Sequence, residues 1–229
     1  MTEFRSIFHA ELNQLEVLLL DMAKLAEGQI NQAVDALLSG DARLARQVVE
    51  QDRNIDQLYV EVERRWHEVM ARQTPVASDL RLMSLILQAG HSLERMGDQA
   101  SNIAKIVEAT SGLPTNQTIL LHIQEMRSIV VPMIDTAMEA LVKRDLNLAM
   151  RLPELDDPAD WLNRNMWKEV AACASDPDLL EWAIHMMLVS RALERVGDRA
   201  VDIGEQVAFL LTGEQHEFPE GWVPTPRPA

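Results

Sequence analysis

Cysteine is nearly absent from this 229-residue chain. Cys173 stands alone, which excludes a disulfide framework and a thiolate metal cage. Aromatic residues make up only 4% and glycine numbers 9. The remaining composition is rich in Leu, Ala, Met, Glu, Gln and Arg, good helix formers with little β-branching, and it predicts an almost wholly helical protein. Basic residues are also in deficit. Lys plus Arg is 21 against 36 Asp plus Glu, a formal charge of −15. That excludes the basic footprint of a nucleic-acid-binding surface and suits cation binding or a basic partner. No run approaches the ~18 apolar residues of a membrane span. The N-terminus, MTEFRSIFHAEL, lacks a basic stretch followed by a long apolar one, so no signal peptide is expected and the cytoplasm is the expected compartment. Apolar residues still reach 47%, enough for a packed core.

What is present is periodic. Six helices are expected, grouped three and three. The first covers roughly 3–38, with Phe8, Leu12, Leu15, Leu19, Met22 and Ala26 on a 4,3 spacing. Gly40 is its expected C-cap and Asp41 the next N-cap. The second covers 42–73 and stops at Thr74-Pro75; the third starts near Ser78, a candidate N-cap, and ends at Ser111-Gly112. The fourth covers 117–143, with Pro132 expected to kink it. The fifth runs from Asp145 to about Ser175 and is interrupted by Pro153 and Pro158; the sixth runs from Asp176-Pro177 to Thr212-Gly213. This gives two units, 1–113 and 114–213, followed by a Pro-rich tail at 214–229, expected to be extended or disordered. Trp222 belongs to that tail.

The two units repeat each other. Residues 93–104 read LERMGDQASNIA and residues 193–204 read LERVGDRAVDIG, identical at seven of twelve positions. Ala36-Leu37, Asp41, Asp52 and Asp56 match Ala140-Leu141, Asp145, Asp156 and Asp160 at an offset of 104. A period of about a hundred residues implies a duplicated antiparallel three-helix bundle in an all-α fold.

Each repeat carries two carboxylate pairs at i,i+4, neighbours that repel on a helix. They are Asp52/Asp56 with Glu94/Asp98, and Asp156/Asp160 with Glu194/Asp198. Residues 52 and 98 centre on Pro75, as do 56 and 94. Residues 156 and 198 centre on Pro177, as do 160 and 194. Helices folding back at those prolines would bring each pair opposite the other. The core stripes of helices 3 and 6 leave Glu94, Asp98, Glu194 and Asp198 off the core face. The four carboxylates of each set are therefore expected on the outer surface, over an interhelical groove. Gly97 and Gly197 each cost about 1 kcal/mol against Ala in a helix, so something is expected to approach the backbone there. Two charges ~6 Å apart repel by about 2–3 kcal/mol at an effective dielectric near 20. A hard cation held by oxygen ligands would remove that cost: Mg²⁺, Mn²⁺, Ca²⁺ or ferric iron. Against this stands a solvated acidic face paired with Arg53, Arg95, Arg195 and Arg199. His91 and His122 read as polar helix positions rather than ligands, the methionines as core, and Cys173 as a bystander.

The signature LERxGDxAxNIA, the upstream TPVASDLRLM at 74–83 and the duplicated plan resemble the PhoU family over residues 3–212. The resemblance implies two three-helix bundles related by a pseudo-twofold axis. It also implies multinuclear metal binding through Asp52-x-x-x-Asp56, Glu94-x-x-x-Asp98, Asp156-x-x-x-Asp160 and Glu194-x-x-x-Asp198. The position four residues after the signature Asp is Asn102 in one repeat and Asp202 in the other, and the resemblance counts both among the metal-site residues. Glu205 closes the second signature where Lys105 closes the first, so the first site is the less acidic. The implied function is regulatory and non-enzymatic. Such a protein links the ATPase subunit of the phosphate ABC transporter to a phosphate-sensing histidine kinase and keeps the starvation response off. A homodimer, and peripheral placement at the cytoplasmic membrane through those partners, are implied as well. The residues alone leave alternatives: a Mg-dependent all-α nucleotide pyrophosphohydrolase, or a metal-free helical adaptor for basic partners. A ferritin-type di-iron oxidase is disfavoured because core E-x-x-H pairs are absent. There is no triad and no Gly-rich phosphate loop.

Overall fold

The computed structural model describes residues 2–73 and 75–215, with side chains from Phe8 onward. The expectations for the tail, Trp222 included, fall almost entirely on 216–229 and lie outside the described residues. The first repeat is α1 (Thr2–Ser39), α2 (Ala42–Gln73) and α3 (Ser78–Ala109). The second is α4 (Gln117–Lys143), α5 (Leu146–Met150), α6 (Leu152–Ala172) and α7 (Pro177–Thr212). There are no strands among the described residues.

The ends form where short polar residues can serve the orphan N–H groups. Asp41 Oδ1 accepts from the backbone N–H of Arg43 at 2.9 Å and of Leu44 at 3.0 Å. Asn116, Asp145 and Asp176 cap α4, α5 and α7 in the same way. Gly40 sits at φ 67° and Gly213 at φ 77°, the left-handed region that closes a helix C-terminus. Ser78 does not cap α3. Ala77 takes that place at φ 51° with no side-chain bond, and Ser78 is already helical.

The fifth expected helix is two. It breaks at Arg151, and Pro153 falls in the first turn of α6, where its missing N–H costs no bond. Pro158 does not interrupt α6, because Leu152, Ala159, Leu162 and Met166 are buried on either side of it and hold the helix in place. Pro132 likewise lies within an unbroken α4.

The repeats lie side by side, α3 against α7 and α1 against α4, and their cores are continuous. Leu19, Met22, Ile86 and Met96 of one repeat join Ile123, Met126, Met186 and Val196 of the other in one fully buried cluster. Each such side chain contributes about 1.5–3 kcal/mol on burial. Arg127 and Arg144 on α4 or at its end pair with Asp35 and Glu16 on α1, and Arg81 Nε donates to Leu210 O at 3.2 Å. Cys173 is buried, its thiol donating to Glu169 O at 3.4 Å. No described helix is long and apolar enough to cross a membrane.

Candidate functional site

In the second repeat, carboxylate oxygens of Asp156, Asp160 and Asp198 all lie within 4.8 Å of one another. Asp156 and Asp160 sit one turn apart on α6, and Asp198 faces them from α7. The approach is close because Gly197 has no side chain. A Cβ there would overlap Asp156 Oδ1 and stand 3.6 Å from Val130 Cγ1 on α4. The group expected to approach the glycine is therefore the facing aspartate.

This cluster is not on the outer surface. Asp156 and Glu194 are each only 8% exposed, and Asp160 and Asp198 are half-buried. The expectation of four surface carboxylates is corrected on that point. The heptad register placed Glu194 off the core stripe, but α6 packs so tightly on Gly197 that flanking positions are covered too. Burial, then the charges of Asp160, Asp198 and Glu194, push Asp156 up to about 8. Burial and Asp198 push Glu194 up to about 7 against the opposing pull of Arg191. Asp198 is raised by burial first and by Asp160 second. Asp156 Oδ1 and Glu194 Oε2 are buried without a hydrogen bond, and leaving such an atom unpaired costs about 1–3 kcal/mol. Local cations answer only part of the charge. Arg164 pairs with Asp160 and Arg191 with Glu194, both from exposed positions.

The first repeat has the same four positions in a looser, wetter arrangement. Asp56 is exposed, while Asp52, Glu94 and Asp98 are half-buried. Burial leads the rise of Asp52, followed by Asp56 and Asp98; the Ser101 hydroxyl and Lys105 oppose it. Glu94 is raised by burial and Asp98. Arg95 lies 2.9 Å from Asp98 and 3.4 Å from Glu94, and His91 Nδ1 lies 3.9 Å from Glu94. A Cβ on Gly97 would meet Ile55 Cδ1 at 2.9 Å, Gln29 Oε1 at 3.2 Å and Asp52 Oδ1 at 3.4 Å. Asp52 thus stands off where Asp156 presses in.

Asn102 and Asp202 do not join these groups. Asn102 is exposed. Asp202 pairs with Arg199 at 2.7 Å and, with Tyr59, His91 and Gln206, lines a cavity of about 480 Å³ between the repeats. Tyr59 lies against His91 with ring centroids 6.1 Å apart. Two residues escaped the sequence reading, Gln29 and Ser101, both buried near Asp52 with unpaired polar atoms. The signal for Gln29 was present: it continues the 4,3 stripe of α1 three residues after Ala26, a polar side chain at a core position.

Known proteins share this architecture. A crystal structure of PhoU from Pseudomonas aeruginosa superimposes with a TM-score of 0.85 at 32% identity, covering 90% of this chain and all of that one. The crystal structure of the phosphate transport system regulatory protein PhoU from Streptococcus pneumoniae gives 0.85 at 25% identity, covering 92% and 99%. The phosphate-specific transport system accessory protein PhoU homolog of Zymomonas mobilis is 32% identical over 91% of this chain and 88% of its own length. The homolog of Clostridium acetobutylicum is 32% identical over 92% and 97%. The PhoU domain matches twice, at residues 19–107 and 123–207, once in each repeat. With the domain twice over and relatives of this identity along most of its length, the chain belongs to the PhoU family.

Proposed function

We propose that this chain is a regulator of phosphate uptake and homeostasis that holds hard metal ions on its two carboxylate sites. In this reading it acts in the cytoplasm, as a homodimer, without catalysing a reaction. It links the ATPase subunit of a phosphate ABC transporter to a phosphate-sensing histidine kinase and holds the starvation response off while phosphate is plentiful. The family membership supports the regulatory role, since its relatives are named as accessory and regulatory proteins of phosphate transport.

The observation that carries the metal part is the Asp156, Asp160 and Asp198 cluster. The donor set fits a hard cation: all oxygen, three carboxylates within reach of one point, with buried oxygens that have no other partner. Asp156, Asp160, Asp198 and Glu194 would hold the ion in the second repeat, and Asp52, Asp56, Glu94 and Asp98 in the first. When bound, the ion supplies positive charge that cancels the repulsion among the carboxylates and locks α6 to α7. The chain's own part is to hold those carboxylates in register across Gly197 and Gly97. A metal-free adaptor reading rests on Arg95, Arg164 and Arg191, which already pair with the same carboxylates.

The test is metal analysis of chelator-free protein beside an Asp160→Asn/Asp198→Asn variant, with capture of the transporter ATPase and the kinase by each. The proposal expects metal in the wild type, a reduced content in the variant, and weakened capture. Absence of metal after reconstitution, with capture unchanged in the variant, would leave the adaptor reading standing instead.

A further inference from the structure

Beneath the first carboxylate site lies a set of unspent polar groups. Gln29 on α1 is 3% exposed, and neither its Oε1 nor its Nε2 makes a hydrogen bond. Ser101 on α3 is 2% exposed; its hydroxyl makes no hydrogen bond of normal length, yet it stands close enough to Asp52 to pull that carboxyl's pKa down. Both belong to the surroundings of Asp52. Gln29 Oε1 and Asp52 Oδ1 converge on the same point of the α3 backbone, 3.2 Å and 3.4 Å from where a Cβ of Gly97 would stand. Ser101 follows Gly97 by one helical turn.

The second repeat has no such floor. At the offset of 104 that relates α1 to α4, Met133 replaces Gln29; at the offset of 100 that relates α3 to α7, Val201 replaces Ser101. Met133 is buried in the core, so the position accepts an apolar side chain without difficulty. A duplicated fold that fills this place with methionine in one copy has no packing need for an amide in the other. The amide also sits among core neighbours, where an unbonded polar group weakens the fold. Such a group calls for a hydrogen-bond partner close at hand.

We infer that Gln29, assisted by Ser101, is a positioning residue for Asp52 in the first site; this rests on the metal reading above. Turning the amide by half a rotation exchanges its oxygen for N–H donors. Nε2–H then donates to the inner oxygen of Asp52, and the Ser101 hydroxyl donates beside it. The outer oxygen is left aimed at the ion. Donors that hydrogen-bond a metal-holding carboxylate in this way commonly change metal affinity by about 10–100-fold. The first site is thus oriented by hydrogen bonds from below, whereas in the second site Asp156 is oriented by steric confinement over Gly197. The duplicated sites have diverged in how they hold the same ligand.

The experiment uses Mn²⁺ titration of the full chain by calorimetry. The first site is isolated in an Asp160→Asn/Asp198→Asn background. There, Gln29→Met is expected to weaken Mn²⁺ binding by tenfold or more while raising the melting temperature of the metal-free protein. Ser101→Val, a smaller change, is expected to weaken binding a few-fold in the same direction. Raised stability with unchanged Mn²⁺ affinity in both Gln29→Met and Ser101→Val overturns the inference and leaves the metal reading intact. No Mn²⁺ binding to either site of the wild type overturns both.

Discussion

Asp52 and Asp156 occupy the same position in two copies of one bundle, yet one stands in a half-open groove and the other is pressed into the protein. The difference traces to the helix opposite. At Gly197 the approach is so close that only hydrogen fits beneath Asp156, whereas at Gly97 the nearest atom is the flexible end of Ile55. Duplication preserved the carboxylates and their spacing, but not their solvation. In the second repeat the charge is concentrated and largely buried; in the first it is more exposed and is opposed by Arg95, His91 and Lys105. A shared motif therefore specifies carboxylates and their spacing, while the packing behind it specifies how strongly their charge is confined.

The two repeats are expected to differ most at the glycines. Gly197→Ala should force Asp156 out of the cluster, cost about 1–3 kcal/mol by overpacking, and abolish metal binding in the second repeat. Gly97→Ala meets only Ile55 Cδ1 and Gln29 Oε1 closely, and its gain in helix propensity of about 1 kcal/mol offsets the adjustment. Parallel melts and Mn²⁺ titrations of the two variants check this; equal effects would show that the sites are packed alike after all.

pH sharpens the same contrast. The Asp156 carboxyl titrates near 3.8 in an unfolded chain and is raised to about 8 in the fold. Between those values the native state binds more protons than the unfolded one, so stability of the metal-free protein falls as pH rises from about 4 to 8. Glu194, raised to about 7, adds in the same direction. Asp156→Asn should remove most of that slope and raise the melting temperature at pH 8 by on the order of 5 °C. Asp52→Asn should change it less. Melting curves of chelated protein from pH 4.5 to 8 read this directly, and a flat wild-type profile would contradict it.

Much of this was legible in the sequence. The boundaries of α2 and α4, the cap at Asp41, the helix starts near Asp145 and Asp176, and the meeting of Asp156 and Asp160 with Asp198 across the Pro177 turn all followed from spacing and end signals. The burial of Asp156 and Glu194 did not. Heptad position says which way a side chain points, but how far a neighbour covers it depends on the distance between helix axes, which Gly197 sets. Pro153 and Pro158 looked equivalent and were not, because one found a helix start and the other was held by core residues on both sides. Gln29 carries no charge, and only its place on the apolar stripe of α1 marks it in the sequence.

A smaller effect comes from the local cations. Arg191 pairs with Glu194 from an exposed position, so Arg191→Ala should alter stability by less than about 1 kcal/mol. Removing a positive charge beside the second site should nonetheless tighten Mn²⁺ there a few-fold, with no change in the first. His91→Ala, its counterpart, should leave the second site untouched.

Both repeats are proposed to carry metal sites, the second the more dependent on its ion. Melting temperatures at pH 8, with and without Mn²⁺, of the wild type, Asp52→Asn/Asp98→Asn and Asp156→Asn/Asp198→Asn test it most directly. The account predicts a large Mn²⁺-induced rise in the wild type, most of it kept when the first pair is removed and most of it lost when the second is. No rise in the wild type, or equal losses from the two variants, would contradict it.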